Sequence, residues 1–163
     1  MTKAKVVDHP AKAGLQGHLE KITVELNESD WHDYATESVW AKPLGSGHFE
    51  IANIPFYLYG VSMHDVVACV SREGLLFFTG IVNRGGHSTY RLFLAEGLSE
   101  HAFLSSWQEL QILGCQYERA TARLIAVDVP ANVDIHEVYA VLQRGEGGGL
   151  WDFEEGYCGH PLT

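Results

Sequence analysis

The sequence predicts an α+β fold: a β-rich bent sheet or small barrel followed by a ferredoxin-like (split βαβ) lobe. Short apolar runs broken by turn residues at roughly 8- to 12-residue intervals fill the first half, the pattern of a strongly bent sheet. After Gly97 the apolar spacing becomes helical. From His87 onward the order reads strand, helix, strand, strand, helix, strand, which is the split βαβ arrangement.

A chain of 163 residues suits one domain or two small lobes sharing a core. Folding should bury roughly 70% of the unfolded surface, so no disulfide or metal staple is required. A content of 46% hydrophobic and 20% charged residues is ordinary for a globular protein and excludes wholesale disorder.

Residues 1–19 have little to bury and are expected to form a flexible tail. Over 21–26, Ile22, Val24 and Leu26 alternate with Lys21, Thr23 and Glu25, giving a half-buried strand. The polar stretch 27–37 reads as a loop or short turn. A second strand over 38–42 stops at Pro43, the glycines at 45 and 47 make a turn, and a third strand covers 48–52. Asn53-Ile54-Pro55 is a bend, because a residue before proline is pushed out of the helical region. Strands are expected over 56–59, 64–71, 75–83 and 87–94, with turns at 72–74 and 84–86.

Phe103, Trp107, Leu110 and Leu113 share one side of a helix over 99–113, stopped by Gly114. Strands follow over 115–119 and 122–129, the second nearly all apolar and therefore central. Asp134 and Glu137 have capping-box spacing before an amphipathic helix over 135–144. The glycine run through 149 reads as a flexible break before a last strand over 150–154. The expected divisions are a tail over 1–19, a β-rich lobe over 20–85, a ferredoxin-like lobe over 86–157, and a tail over 158–163.

The three cysteines, Cys69, Cys115 and Cys158, are too few and too scattered for a disulfide framework. They fit a reducing compartment, so a cytoplasmic location is expected. No run approaches the roughly 18 apolar residues of a membrane helix, and the lysines near the start precede no apolar signal-peptide core. The formal net charge is −10. Such a surface repels phosphate backbones and anionic lipid, which argues against nucleic acid and membrane as partners, and it attracts a basic protein.

Enzyme motifs are sparse. His87-Ser88-Thr89-Tyr90 has the H-x-T-x form that two-histidine phosphoesterases carry twice; it occurs here once, and one histidine cannot be acid and base on opposite sides of a phosphate. His87, Thr89 and Arg91 share one strand face. With an acid such as Asp65, they form an alternative polar site for a small enzyme or ligand-binding protein, in a cleft between the lobes. The nine histidines contain no H-x-H or H-x-x-x-H pair, so neither a metal nor another cofactor is expected. The glycine run is followed by acids, the wrong charge for a phosphate cradle, and no G-x-S-x-G element is present.

Two acidic stretches are interleaved with aromatics. One holds Glu28, Asp30, Trp31, Asp33, Tyr34 and Glu37; the other holds Trp151, Asp152, Glu154 and Glu155. Aromatics provide desolvated anchors and carboxylates provide steering, so these are the expected partner-binding residues.

The run ESVWAKPLGSGHFEIANIPFYLYGVSMHDVV, with the later GHSTYR and WDFEEGY, resembles a bacterial family known as domain of unknown function 4265. Its pattern has E-S-L-W-A, D-N-I-P-F, G-D-V-V and G-H-S-T-x-R elements. This chain departs from it with Val39 for Leu, Ala52 for Asp and His64 for Gly. Trp40, Asn53, Pro55, Asp65, His87 and Arg91 fall on signature positions, most of which read as fold-making. The resemblance implies membership and no activity.

The functional expectation is a non-catalytic, acidic protein-binding module. Its sharpest form is an immunity or antitoxin-type protein that neutralises a basic bacterial toxin, such as a nuclease effector. The His87/Thr89/Arg91 site is the alternative, and a subunit using a sheet edge as its interface is a third possibility.

Overall fold

The computed structural model describes residues 5–10 and 18–162. Among the described residues, ten strands form two β-sheets that meet across a buried seam, with two helices on the second. The first sheet contains β1 (Lys5–Asp8), β2 (Glu20–Glu25), β3 (Tyr34–Gly45), β4 (His48–Ile51), β5 (Val66–Arg72) and β6 (Leu75–Asn83). Strands β3, β2, β6, β5 and β4 close into a five-stranded barrel, because β4 pairs back onto the far half of β3. The barrel is mixed: β2 meets β6 in parallel and its other neighbours are antiparallel. Alternation along β2 and β3 sends Ile22, Val24, Val39 and Ala41 inward, where they pack with Phe49, Ile51, Leu58 and Val67.

The second sheet contains β7 (Ser88–Leu94), β8 (Gln116–Arg119), β9 (Leu124–Val129) and β10 (Trp151–Tyr157), in the order β10-β7-β9-β8. With α1 (Glu100–Leu113) and α2 (Ile135–Gly147) on one face, this is the ferredoxin-like order, antiparallel throughout. Helix α1 starts where the Ser99 hydroxyl accepts from the Ala102 N–H, and it ends at Gly114 in the left-handed region. Asp134 caps α2 through the His136 N–H. Phe103, Trp107, Leu110, Val138 and Leu142 cover Tyr90, Leu92, Leu94, Ile125 and Val127. The opposite face presents Phe93, Leu124 and Ala126 to Ile54, Phe56, Tyr57 and Met63. The sheet is thus buried on both sides, which explains why all of β9 is apolar except Asp128.

Several expected elements differ. Strand β3 begins at Tyr34 and runs through Pro43 to Gly45, so the expected loop over 27–37 is shorter. The polar residues Thr36, Glu37 and Ser38 lie on a strand paired on both sides, by β1 and β2. Pro43 is accommodated by a register irregularity between Pro43 and Gly45. Residues 56–59 are not a strand; their amides are claimed by a side chain, as shown below. Part of the expected N-terminal tail is ordered: β1 pairs in parallel with β3, and His9 is buried. Residues 1–4 and 11–17 lie outside the described residues. The expected C-terminal tail is also tied down, since buried His160 bonds the Ser88 hydroxyl at 2.6 Å and the Pro130 carbonyl at 2.8 Å.

The glycine run is helical as far as Gly147. Gly145 is required because the Trp151 indole occupies the space where its Cβ would be, with Trp151 Nε1 donating to the Leu142 carbonyl at 3.1 Å. A Cβ on Gly147 would meet nothing. Chemical denaturation should therefore separate two neighbouring substitutions. Gly145→Ala is expected to lose about 1–3 kcal/mol through overpacking, whereas Gly147→Ala should hold or gain up to about 1 kcal/mol.

Candidate functional site

The seam between the sheets is built on two buried charges. Glu37, on β3, is 0% exposed. Its carboxylate accepts three successive amides, from Phe56, Tyr57 and Leu58, at 2.7, 2.9 and 2.9 Å. Arg91, on β7 and also 0% exposed, donates from Nε to the Phe56 carbonyl at 2.9 Å and from a terminal nitrogen to the Leu58 carbonyl. One tripeptide with no regular structure is therefore held by an acid from the barrel and a base from the other sheet. Buried backbone groups need partners, and here charged side chains replace a strand ladder.

His9 completes the acid's shell. Its Nε2 lies 2.6 Å from Glu37, and its ring stacks on Phe56 at 3.8 Å. Burial alone would lower the His9 pKa, but the Glu118 and Glu37 carboxylates outweigh it, so the net shift is upward. Burial alone would raise Glu37; the bonds from His9 and the Phe56 and Tyr57 amides reverse that, and it ends lowered. For Arg91, burial lowers the pKa against the opposing pull of Glu37 and Glu154.

The proposed polar stripe lies in this seam. Thr89 shares a 2.6 Å hydrogen bond with Ser62. Asp65 accepts from the Ser62 amide, the Gly85 amide and the Arg84 guanidinium at 2.9, 2.9 and 3.0 Å. His87 bonds Asp128 through Nδ1 at 2.9 Å to each oxygen. His87, Thr89 and Arg91 do share a face, but that face is where the lobes are sealed. The expected cleft is absent there among the described residues, because Thr89, Arg91 and Asp65 are fully buried.

The acidic stretches diverge in the same way. Glu37 is a seam residue. Trp151 is 3% exposed in the helix-covered core. Tyr34 is half-buried against Tyr57, with ring centroids 4.6 Å apart. Glu155 pairs with the Tyr90 hydroxyl, on the helix-covered side of the sheet. Glu37 and Trp151 are therefore interior residues, and Glu155, though exposed, lies on the other face of β10 from Glu154. Asp33 is exposed but faces Lys5 at 3.4 Å.

Trp31 and Glu154 are brought together through Tyr59. Trp31 Nε1 donates to the Tyr59 hydroxyl at 2.9 Å, and that hydroxyl donates to Glu154 at 2.7 Å. Trp31 is 53% exposed and Tyr59 37%. The indole is braced by Phe93, edge-on at 5.2 Å, and by Tyr57 at 5.5 Å. Asp152 stands opposite Phe93 in the sheet register. Glu28 and Asp30 lie in a tight turn where Asn27 accepts the Ser29 amide through its side chain and the Asp30 amide through its carbonyl. Burial, and then the bond to Glu154, raise the Tyr59 pKa, keeping the phenol protonated near neutral pH. The result is a fixed aromatic pair with carboxylates from both ends of the chain.

Tyr59, Phe93 and Asp128 had no sequence signal. Tyr59 lies in the stretch 56–59, whose irregular path depends on Glu37. Phe93 looks like an ordinary inward residue until the second face of its sheet is known to be covered. Cys115 is buried, with its thiol pushed up to about 12 by burial and, secondarily, by Asp128. Cys69 is half-buried and pushed up to about 11. Neither is a reactive thiolate at neutral pH.

A five-stranded mixed barrel sealed onto a ferredoxin-like sheet, with an aromatic–acidic patch at the junction, defines the class of protein. The chain belongs to the family described as "Domain of unknown function (DUF4265)", which matches residues 37–153; the resemblance seen in the sequence is correct. The crystal structure of a hypothetical protein from Neisseria gonorrhoeae shares the fold, with a TM-score of 0.72 and 19% identity over 88% of this chain and 97% of that one. No curated protein matches the sequence. Among the described residues, no helix is long and apolar enough to cross a membrane.

The shifts of Glu37 and His9 at the seam have opposite pH consequences. Glu37 is more acidic folded than unfolded, so its contribution is present above the ordinary value of 4.5 and lost as pH falls through its lowered folded value. The His9 contribution is complete below 6.5 and lost as pH rises through its raised folded value. Urea denaturation across pH should show their joint support strongest between those limits. Glu37→Gln should lower stability at pH 6 by about 3 kcal/mol or more and flatten the acid limb.

Proposed function

We propose that the protein is a non-catalytic binding module whose patch around Trp31, Tyr59 and Glu154 docks a basic protein. Its sharpest form is an immunity or antitoxin-type role, covering the cationic surface of a toxin such as a nuclease effector. The observation that carries this reading is the relay from the Trp31 indole through the Tyr59 hydroxyl to Glu154. It fixes two exposed aromatics beside carboxylates before any partner arrives. Anchors held in one rotamer lose little entropy on binding, and aromatic residues dominate interface energetics. The net charge of −10 would speed encounter with a cationic partner and disfavour anionic ones.

The alternative, an enzyme or ligand-binding protein using His87, Thr89, Arg91 and Asp65, has weaker support. Three of those four side chains are buried and hydrogen-bonded to the chain itself.

Affinity capture from the native host, followed by binding kinetics on the recovered protein, tests the reading. The expected partner is basic. Its association rate should fall at least about tenfold between low and high salt, through loss of steering. Trp31→Ala should weaken binding by about 2 kcal/mol or more, roughly 30-fold, and Glu154→Gln should weaken it less. Failure to recover a stable protein partner, or a partner that binds Trp31→Ala as tightly as the parent, would contradict the proposal.

A further inference from the structure

The end of β7 opposite Phe93 carries a second arrangement, which the docking surface does not use. His87 and His64 face each other with ring centroids 4.7 Å apart. Each is held at Nδ1 by a carboxylate: His87 by Asp128 at 2.9 Å, and His64 by Glu50 at 3.1 Å. In the neutral imidazole, a hydrogen bond to a carboxylate places the proton on Nδ1 and leaves Nε2 as a lone-pair donor. Neither Nε2 makes a hydrogen bond among the described residues. The His64 side chain is 47% exposed, and that of His87 15%.

His64 also occupies a costly conformation. Its φ is 72°, a region that a residue with a β-carbon enters at a penalty. The chain is pressed closely there: a Cβ on Gly85 would lie 2.6 Å from the His64 carbonyl oxygen. The main-chain path that carries His64 toward His87 therefore uses both a left-handed residue and a glycine. Strained backbone of this kind gathers at functional positions.

We propose that His64 and His87 form a surface site for a borderline divalent transition-metal cation such as Zn²⁺, bound through their Nε2 atoms. Glu50 and Asp128 act as outer carboxylates that orient the rings and supply negative charge. With Zn–N bonds of about 2.0–2.1 Å, two imidazoles on a tetrahedral ion have centroids roughly 5 Å apart, close to the spacing found here. Among the described residues no three ligating side chains converge, so water or a ligand from outside the chain fills the remaining positions. The surrounding charges are Glu50 on β4, Asp128 on β9, and the Arg84–Asp65 ion pair beside them.

Titration of the full chain with zinc chloride, by calorimetry or competition with a chromophoric chelator, tests the site. One ion should bind per chain. His64→Gly removes a ligand and relieves the positive φ, so zinc affinity should fall at least tenfold while the melting temperature holds or rises. His87→Gln can still donate to Asp128 yet lacks the Nε2 lone pair, and it should show the same loss. Asp128→Asn should weaken binding roughly 10- to 100-fold, as for other outer partners of metal-bound histidine. His101→Gln, on the exposed face of α1, should change nothing. Absence of zinc binding by the parent, or binding unchanged in both His64→Gly and His87→Gln, would overturn the proposal.

Discussion

The carboxylate of Glu37 is the group on which the rest of the molecule depends. A buried charge of this kind costs several kcal/mol in lost hydration, and only a complete set of partners makes it tolerable. Here the set consists of three consecutive amides and an imidazole. Arg91 takes two carbonyls of the same tripeptide from the opposite side. Gly156 makes room for that guanidinium, since a Cβ there would clash with it. The segment from Phe56 to Leu58 has neither helix nor strand, yet it is buried. Its order comes from one acid and one base contributed by different sheets, so each sheet is needed to place the segment against the other.

This constraint also positions the surface. Tyr59 follows Leu58 directly, and its ring lies over the Arg91 guanidinium at 4.9 Å. Glu154 stands opposite Arg91 in the sheet register. Trp31 lies just before β3, the strand that carries Glu37, and rests on Phe93 of β7. The exposed aromatic–acidic patch is thus the outer layer of the buried pair. Stability and the shape of the patch are linked here, because a shift of the tripeptide would move Tyr59 away from both Trp31 and Glu154.

The α+β class, the split βαβ order and both helices were legible from periodicity, since each rests on local alternation or helical spacing. The barrel closure was less so, because β3 serves two partners on one side, β1 and β4, which local pattern does not reveal. The stretch through Thr36 and Glu37 looked like a loop because the Glu37 carboxylate is buried for reasons that lie 20 residues and more away in the chain. Gly145 looked like a break because the Trp151 ring that needs its bare Cα is on another element. For the same reason the candidate residues separated. Trp31, Asp30, Asp152 and Glu154 lie around one patch, whereas Glu37 and Trp151 have the same composition signature but serve the interior.

Native-state hydrogen exchange at the amides of Phe56, Tyr57 and Leu58 tests the central claim most directly. If two buried charges hold this segment as part of the fold, these three amides should exchange as slowly as those of β9, through global unfolding. Exchange on the timescale of exposed loops such as 27–30, while β9 stays protected, would show that the tripeptide is not the clasp between the sheets.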